Sequence, residues 1–169
     1  MSGMSGMSGM SGTTPDVEVT IDIAAPTGRV WDLIGDPSRM AEWSPECDRV
    51  TWIGGASGPA LGARFRGHNT KGWRQWTTTG TLIAYEEGRK VAWHVDLLGF
   101  AVADWGYRVE DTGNGQTRVT GSFTDRRNAV MTALGHLARG VSDTPAHNRA
   151  GITTTLERVR AAAESPAER

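Results

Sequence analysis

The chain has one cysteine, Cys47, so no disulfide can form within it, and a reducing compartment such as the cytoplasm is the expected setting. It has no apolar run of the roughly 18 residues that a membrane-spanning helix needs. The N-terminus lacks the basic region and apolar stretch of a signal peptide. Basic excess is missing too: 18 Lys and Arg face 19 Asp and Glu, for a net charge of −1, which argues against a nucleic-acid partner. Metal chemistry finds no pattern, because the four His and single Cys form neither a helical His pair with Glu nor paired cysteines. No cofactor motif stands in the right context, since Gly113-Asn114-Gly115 runs into a hairpin rather than a helix.

Indole is present in quantity. All seven Trp fall after residue 12, because residues 1–12 are Met-Ser-Gly written four times. That repeat has no period that could bury a face, so residues 1–15 are expected to be a disordered leader, whether native, a misassigned start (each Met a possible initiator) or an artefact. Residues 16–164 are expected to form one domain, and residues 165–169 a short tail. Charge is uneven within the domain. Eight acids lie between Asp16 and Asp48, whereas Arg64, Arg66, Lys71 and Arg74 follow with no acid among them. Either an anion-binding patch or compensating surfaces of one fold would produce this.

Val17, Val19, Ile21 and Ile23 alternate with polar residues, which predicts a half-buried strand. Pro26 then opens a helix with Val30, Trp31 and Ile34 as its apolar stripe. Asp36-Pro37 starts a second short helix that buries Met40 and Trp43 and stops at Ser44-Pro45. Six β-rich runs follow, at about 48–53, 63–69, 74–85, 90–96, 102–110 and 116–124. Short links between them predict an antiparallel meander. After Asp125 the period becomes helical, through Val130, Leu134, Leu137 and Val141, then Ile152, Leu156, Val159 and Ala163, with a break expected near Pro145.

This order, with Ala25-Pro26, Val30-Trp31, Asp36-Pro37 and Trp43-Ser44-Pro45-Glu46, resembles the START-like superfamily, in particular its polyketide cyclase/dehydrase and lipid-transport branch. The stretches Gly62 to Gly67 and Arg89 to Trp93 are similar to that branch as well. The resemblance implies an α+β helix-grip fold: a seven-stranded curved antiparallel sheet wrapped around a long C-terminal helix, with two short helices between strands 1 and 2. Such a helix rarely fills the sheet it covers, and the gap is a pocket.

Strand alternation sorts the side chains. One parity carries Trp52, Phe65, Trp76, Thr78, Leu82, Trp93, Trp105, Tyr107 and Phe123, and the other carries Arg66, His68, His94, Asp96, Asp104 and Arg108. The first set, with Asn69 and with Leu134, Leu137, Val141 and Leu156 of the helical segments, is the expected lining of an apolar ligand site. A bulge would exchange the parities beyond it. Asn69, Thr78 and Tyr107, with His147 and Asn148 from the helix break, would orient a ligand.

Three functions fit. The first is binding of a hydrophobic, aromatic or polyketide-like molecule by a monomer or homodimer, without turnover, cofactor or metal. The resemblance also implies an aromatase/cyclase or dehydratase, for which Arg66, Trp76 and Tyr107 are the nearest matches in type, Arg66 lying on the outward parity. It further implies self-resistance in an enediyne producer, where the drug abstracts hydrogen from a backbone glycine; Gly67, Gly80, Gly99, Gly106 and Gly121 sit in or beside strands.

Overall fold

The computed structural model describes residues 14–128 and 145–166. Strand β1 (Val17–Ile23) leads into α1 (Thr27–Ile34), a 3₁₀ turn (Pro37–Arg39) and α2 (Met40–Trp43). The meander follows as β2 (Cys47–Ile53), β3 (Arg64–Lys71), β4 (Arg74–Glu86), β5 (Lys90–Leu97), β6 (Phe100–Gly113) and β7 (Gln116–Asp125), and α3 (Pro145–Glu164) closes the domain. The seven strands form one antiparallel sheet in the order β1-β7-β6-β5-β4-β3-β2. The α+β helix-grip architecture expected from the sequence is thus present. Val130, Leu134, Leu137 and Val141 lie outside the described residues, as does the Met-Ser-Gly leader.

Local chemistry sets the element ends. Asp36 accepts a 2.8 Å hydrogen bond from the Ser38 N–H ahead of Pro37, a side-chain cap with proline at the first position. Asn114 and Gly115, both at positive φ, make the tight β6–β7 hairpin. The β5–β6 hairpin uses Leu98 (φ 53°) and Gly99 (φ 82°), although leucine gains nothing from that conformation and is 90% exposed.

Helix α1 plugs one end of the sheet. Its Val30, Trp31 and Ile34 are buried, Trp31 lies 6.0 Å from Tyr85, and Thr27 hydrogen-bonds Thr117. Helix α3 packs on β1 and β7 and against α1 and α2, burying Ile152, Leu156, Val159 and Ala163. Arg158 of α3 donates to the carbonyls of Trp43 and Ser44, and Arg29 of α1 donates to those of Ala162 and Ser165. The helix therefore covers one flank of the sheet. Among the described residues, no element fills the space over β3 to β6 toward the end opposite α1.

Candidate functional site

That space is a cavity of about 1070 Å³. Its floor comes from β3 to β7, its side wall from the first turns of α3, and its back from Pro37 and Met40. At the β3–β4 hairpin its wall reaches solvent, since Trp73 lines the cavity and is 86% exposed.

Phe65, Asn69, Trp76 and Thr78 line it from β3 and β4, and Trp93, Trp105, Tyr107 and Phe123 from β5 to β7. These eight belong to the expected set. Trp52, Leu82 and Leu156 also belong to that set, but the structure places them off the wall. Trp52 stands behind Phe65, ring to ring at 5.8 Å and near-perpendicular. Leu82 is four residues beyond Thr78 along β4, roughly 13 Å toward the plugged end. Leu156 is buried one position past the wall residue Thr155, a helical rotation of about 100° away. Leu134, Leu137 and Val141 lie outside the described residues.

The aromatic rings form a connected row. Trp52 touches Phe65, Phe65 meets Trp93 edge-on at 6.0 Å, and Trp93 meets Tyr107 at 5.9 Å. Phe65 reaches Trp93 by lying across β4 at Gly80, where a Cβ would sit 2.1 Å from the Phe65 Cζ. Gly121 makes room in the same way, because a Cβ there would be 2.6 Å from Ile152 Cγ2 and 3.0 Å from Tyr107 Cε1. Gly106 abuts Ser122 and Ala92, Gly99 is a turn residue, and Gly67 lies on the cavity wall.

A bulge shapes the β5–β6 side of the floor. Val95 pairs with Ala103 but Asp96 with Ala101, so Val102 is unpaired and both Val102 and Ala103 border the cavity. Asn69, Thr78 and Tyr107 place polar groups among the rings. The Asn69 amide donates to the Gly67 carbonyl and the Thr78 hydroxyl, each at 3.4 Å. Burial pushes ionisation of the Tyr107 hydroxyl far above the ordinary tyrosine range, with the Thr155 hydroxyl beside it pulling the other way. Tyr107 is thus held neutral, able to donate a hydrogen bond and unable to act as a base.

Charge gathers at the mouth. Lys71 lies 3.4 Å from Glu46 and within 3.3 Å of both ring nitrogens of His147, whose Nε2 is 2.8 Å from Glu46. The Arg74 guanidinium lies 5.0 Å above the Trp73 ring. Lys71 and Arg74 were visible in the sequence as part of a cationic run, and their strand parity is that of Asn69 and Trp76, so alternation carried one step further would have placed them inward. Asn148 lies on the wall with its side-chain Nδ2 buried and without a partner. Arg66 and His94 are not on the wall. His94 sits on the outer face, its Nδ1 2.5 Å from Asp104, which also pairs with Arg126.

A family model described as polyketide cyclase/dehydrase and lipid transport matches residues 14–164. Among solved structures, the Polyketide_cyc-like protein Cgl2372 of Corynebacterium glutamicum is 30% identical over 88% of each chain, with a TM-score of 0.56. Ginseng (Panax ginseng) major latex-like protein 151 is 14% identical over 88% of this chain and 97% of its own, with a TM-score of 0.64. DynU16, from the dynemicin biosynthetic locus, is 17% identical over 88% of this chain and 47% of its own, with a TM-score of 0.58. The last two show likeness of fold. No curated protein matches the chain significantly. Among the described residues no helix is long and apolar enough to cross a membrane.

Proposed function

The chain belongs to the polyketide cyclase/dehydrase and lipid transport family, and from that premise we propose that its cavity binds a hydrophobic small molecule with an aromatic or polyketide-like body. The observation that carries this reading is a 1070 Å³ hollow walled by Phe65, Trp76, Trp93, Trp105, Tyr107 and Phe123. Rings of this kind reward a flat apolar guest, each good aromatic pair adding about 0.5–1.5 kcal/mol beyond area burial. Four of the described wall residues are indoles, Trp73, Trp76, Trp93 and Trp105, so a guest reports on itself. Titration with N-phenyl-1-naphthylamine should quench tryptophan emission saturably, with one probe bound per chain. Native mass spectrometry of protein from its own source should reveal a co-purifying molecule. Unsaturable quenching with no bound molecule would end the reading.

A cyclase or dehydratase draws its support from Tyr107, a neutral hydroxyl donor on the wall that could polarise a ketone. Product analysis on a carrier-bound poly-β-ketone, with and without Tyr107→Phe, decides whether turnover occurs. Self-sacrifice draws its support from Gly67 on the wall, and backbone cleavage by an enediyne, read by mass spectrometry, would distinguish it from binding.

A further inference from the structure

We propose that the ligand is an amphiphilic anion: its carboxylate-like or sulfonate-like end is held at the cavity mouth by Arg74, Lys71 and the Asn148 amide, and its apolar body runs inward to Trp93 and Phe123. The proposal rests on the reading that the cavity binds a small apolar molecule, and it adds the chemical class of that molecule.

Two independent observations point the same way. The first is charge. Among the described residues, three fixed cations, Lys71, Arg74 and Arg127, lie on the wall with one acid, Glu46. Glu46 is shared between Lys71 and His147, and Asp125 holds Arg127. Arg74 has no acidic partner among the described residues and lies over Trp73. After these pairings the described residues leave the positive charge of Arg74 at the mouth, where apolar walls reduce solvent screening.

The second observation is a missing acceptor. Asn148 is 5% exposed, lies on the wall, and has no partner for its Nδ2. A buried donor without an acceptor is costly, and native proteins seldom keep one without a use for it. It follows His147, which touches Lys71, and all three residues line the same cavity as Arg74. A ligand oxygen carrying negative charge satisfies both. The depth of the cavity offers no such match: Trp93, Phe123 and Ile152 present hydrocarbon, and Tyr107 is kept neutral there. An anion therefore stays at the partly hydrated mouth and avoids the cost of full burial.

A matched pair of probes tests this. 8-Anilinonaphthalene-1-sulfonate and N-phenyl-1-naphthylamine share one aromatic body and differ by the sulfonate. The neutral probe is the more hydrophobic, so a plain apolar hollow prefers it. We expect the sulfonate to bind about tenfold more tightly at low salt, and 2-naphthoate to displace it. The ratio of the two affinities should fall about fivefold in Arg74→Ala and in Asn148→Leu, and it should rise in Glu46→Gln. Thermal melts confirm that each variant is folded. A neutral probe bound as tightly as the sulfonate, or a ratio unmoved by all three substitutions, overturns the anion site while leaving the cavity reading intact. Binding of neither probe overturns both.

Discussion

Replacing Gly80 by alanine should show how the floor of the cavity is assembled. The Phe65 ring lies on the Gly80 backbone, and an added Cβ would stand 2.1, 2.4 and 2.6 Å from three of its carbons. Carbon atoms settle at about 3.5–4.0 Å, so the ring has to lift by more than about 1 Å. It is hemmed in by Trp52 at 5.8 Å and Trp93 at 6.0 Å. Overpacking of this kind costs about 1–3 kcal/mol. Against it stands a gain of roughly 0.5–1 kcal/mol, because alanine loses less chain entropy than glycine in a strand. Gly80→Ala should therefore destabilise the domain by about 1–2 kcal/mol, read from urea unfolding followed by tryptophan emission. The decisive experiment repeats the change in a Phe65→Ala background. With the ring gone the clash is gone, and the same substitution should stabilise by roughly 0.5–1 kcal/mol. If the two substitutions instead add to within about 0.5 kcal/mol, the ring is not seated on that glycine and the account of the aromatic row is wrong.

Two further outcomes follow from buried polar groups. Asn148→Leu removes a donor that has no partner, so it should raise the urea midpoint, by up to about 1–3 kcal/mol of stability, while weakening sulfonate binding; a lowered midpoint would mean that the amide supports the fold. Burial raises the Cys47 thiol from 9.0 to about 11 and the Tyr107 hydroxyl further still. Both hold their protons more firmly folded than unfolded, so the stability they contribute is complete below about pH 9 and is lost as pH climbs through the folded values. The urea midpoint should decline above about pH 9 and decline less steeply in Cys47→Ser or Tyr107→Phe; a midpoint that rose with pH would contradict the burial of both groups.

Much of the fold could be read from local chemistry. The alternation of Val17, Val19, Ile21 and Ile23, the Asp36-Pro37 cap and the Asn114-Gly115 turn each fix an element by steric or hydrogen-bonding rules acting over a few residues. Parity also carried the face of each strand, which is why Phe65, Trp76, Trp93 and Tyr107 are found together. Parity is silent about distance along a strand. Leu82 shares its face with Thr78 yet packs at the plugged end, because the position of α1 is decided by tertiary packing. Lys71 and Arg74 sit at strand ends beside a turn, where alternation alone does not say whether a long cationic side chain faces the cavity or solvent. The unpartnered Asn148 nitrogen could not have been read at all, since a missing hydrogen bond is a property of three-dimensional surroundings.

The one-sided seat of α3 has a mechanical consequence. Clamped along β1 and β7 and plugged at one end by α1, the sheet behaves as a cantilever whose free tip is the β3–β4 hairpin. Among the described residues, bending stiffness there comes from the backbone ladders, the ring row and the contact of Lys71 with His147 at the start of α3. Strain from a bulky guest at the mouth therefore falls on that tip and its Lys71–His147 tether before it reaches the clamped edge.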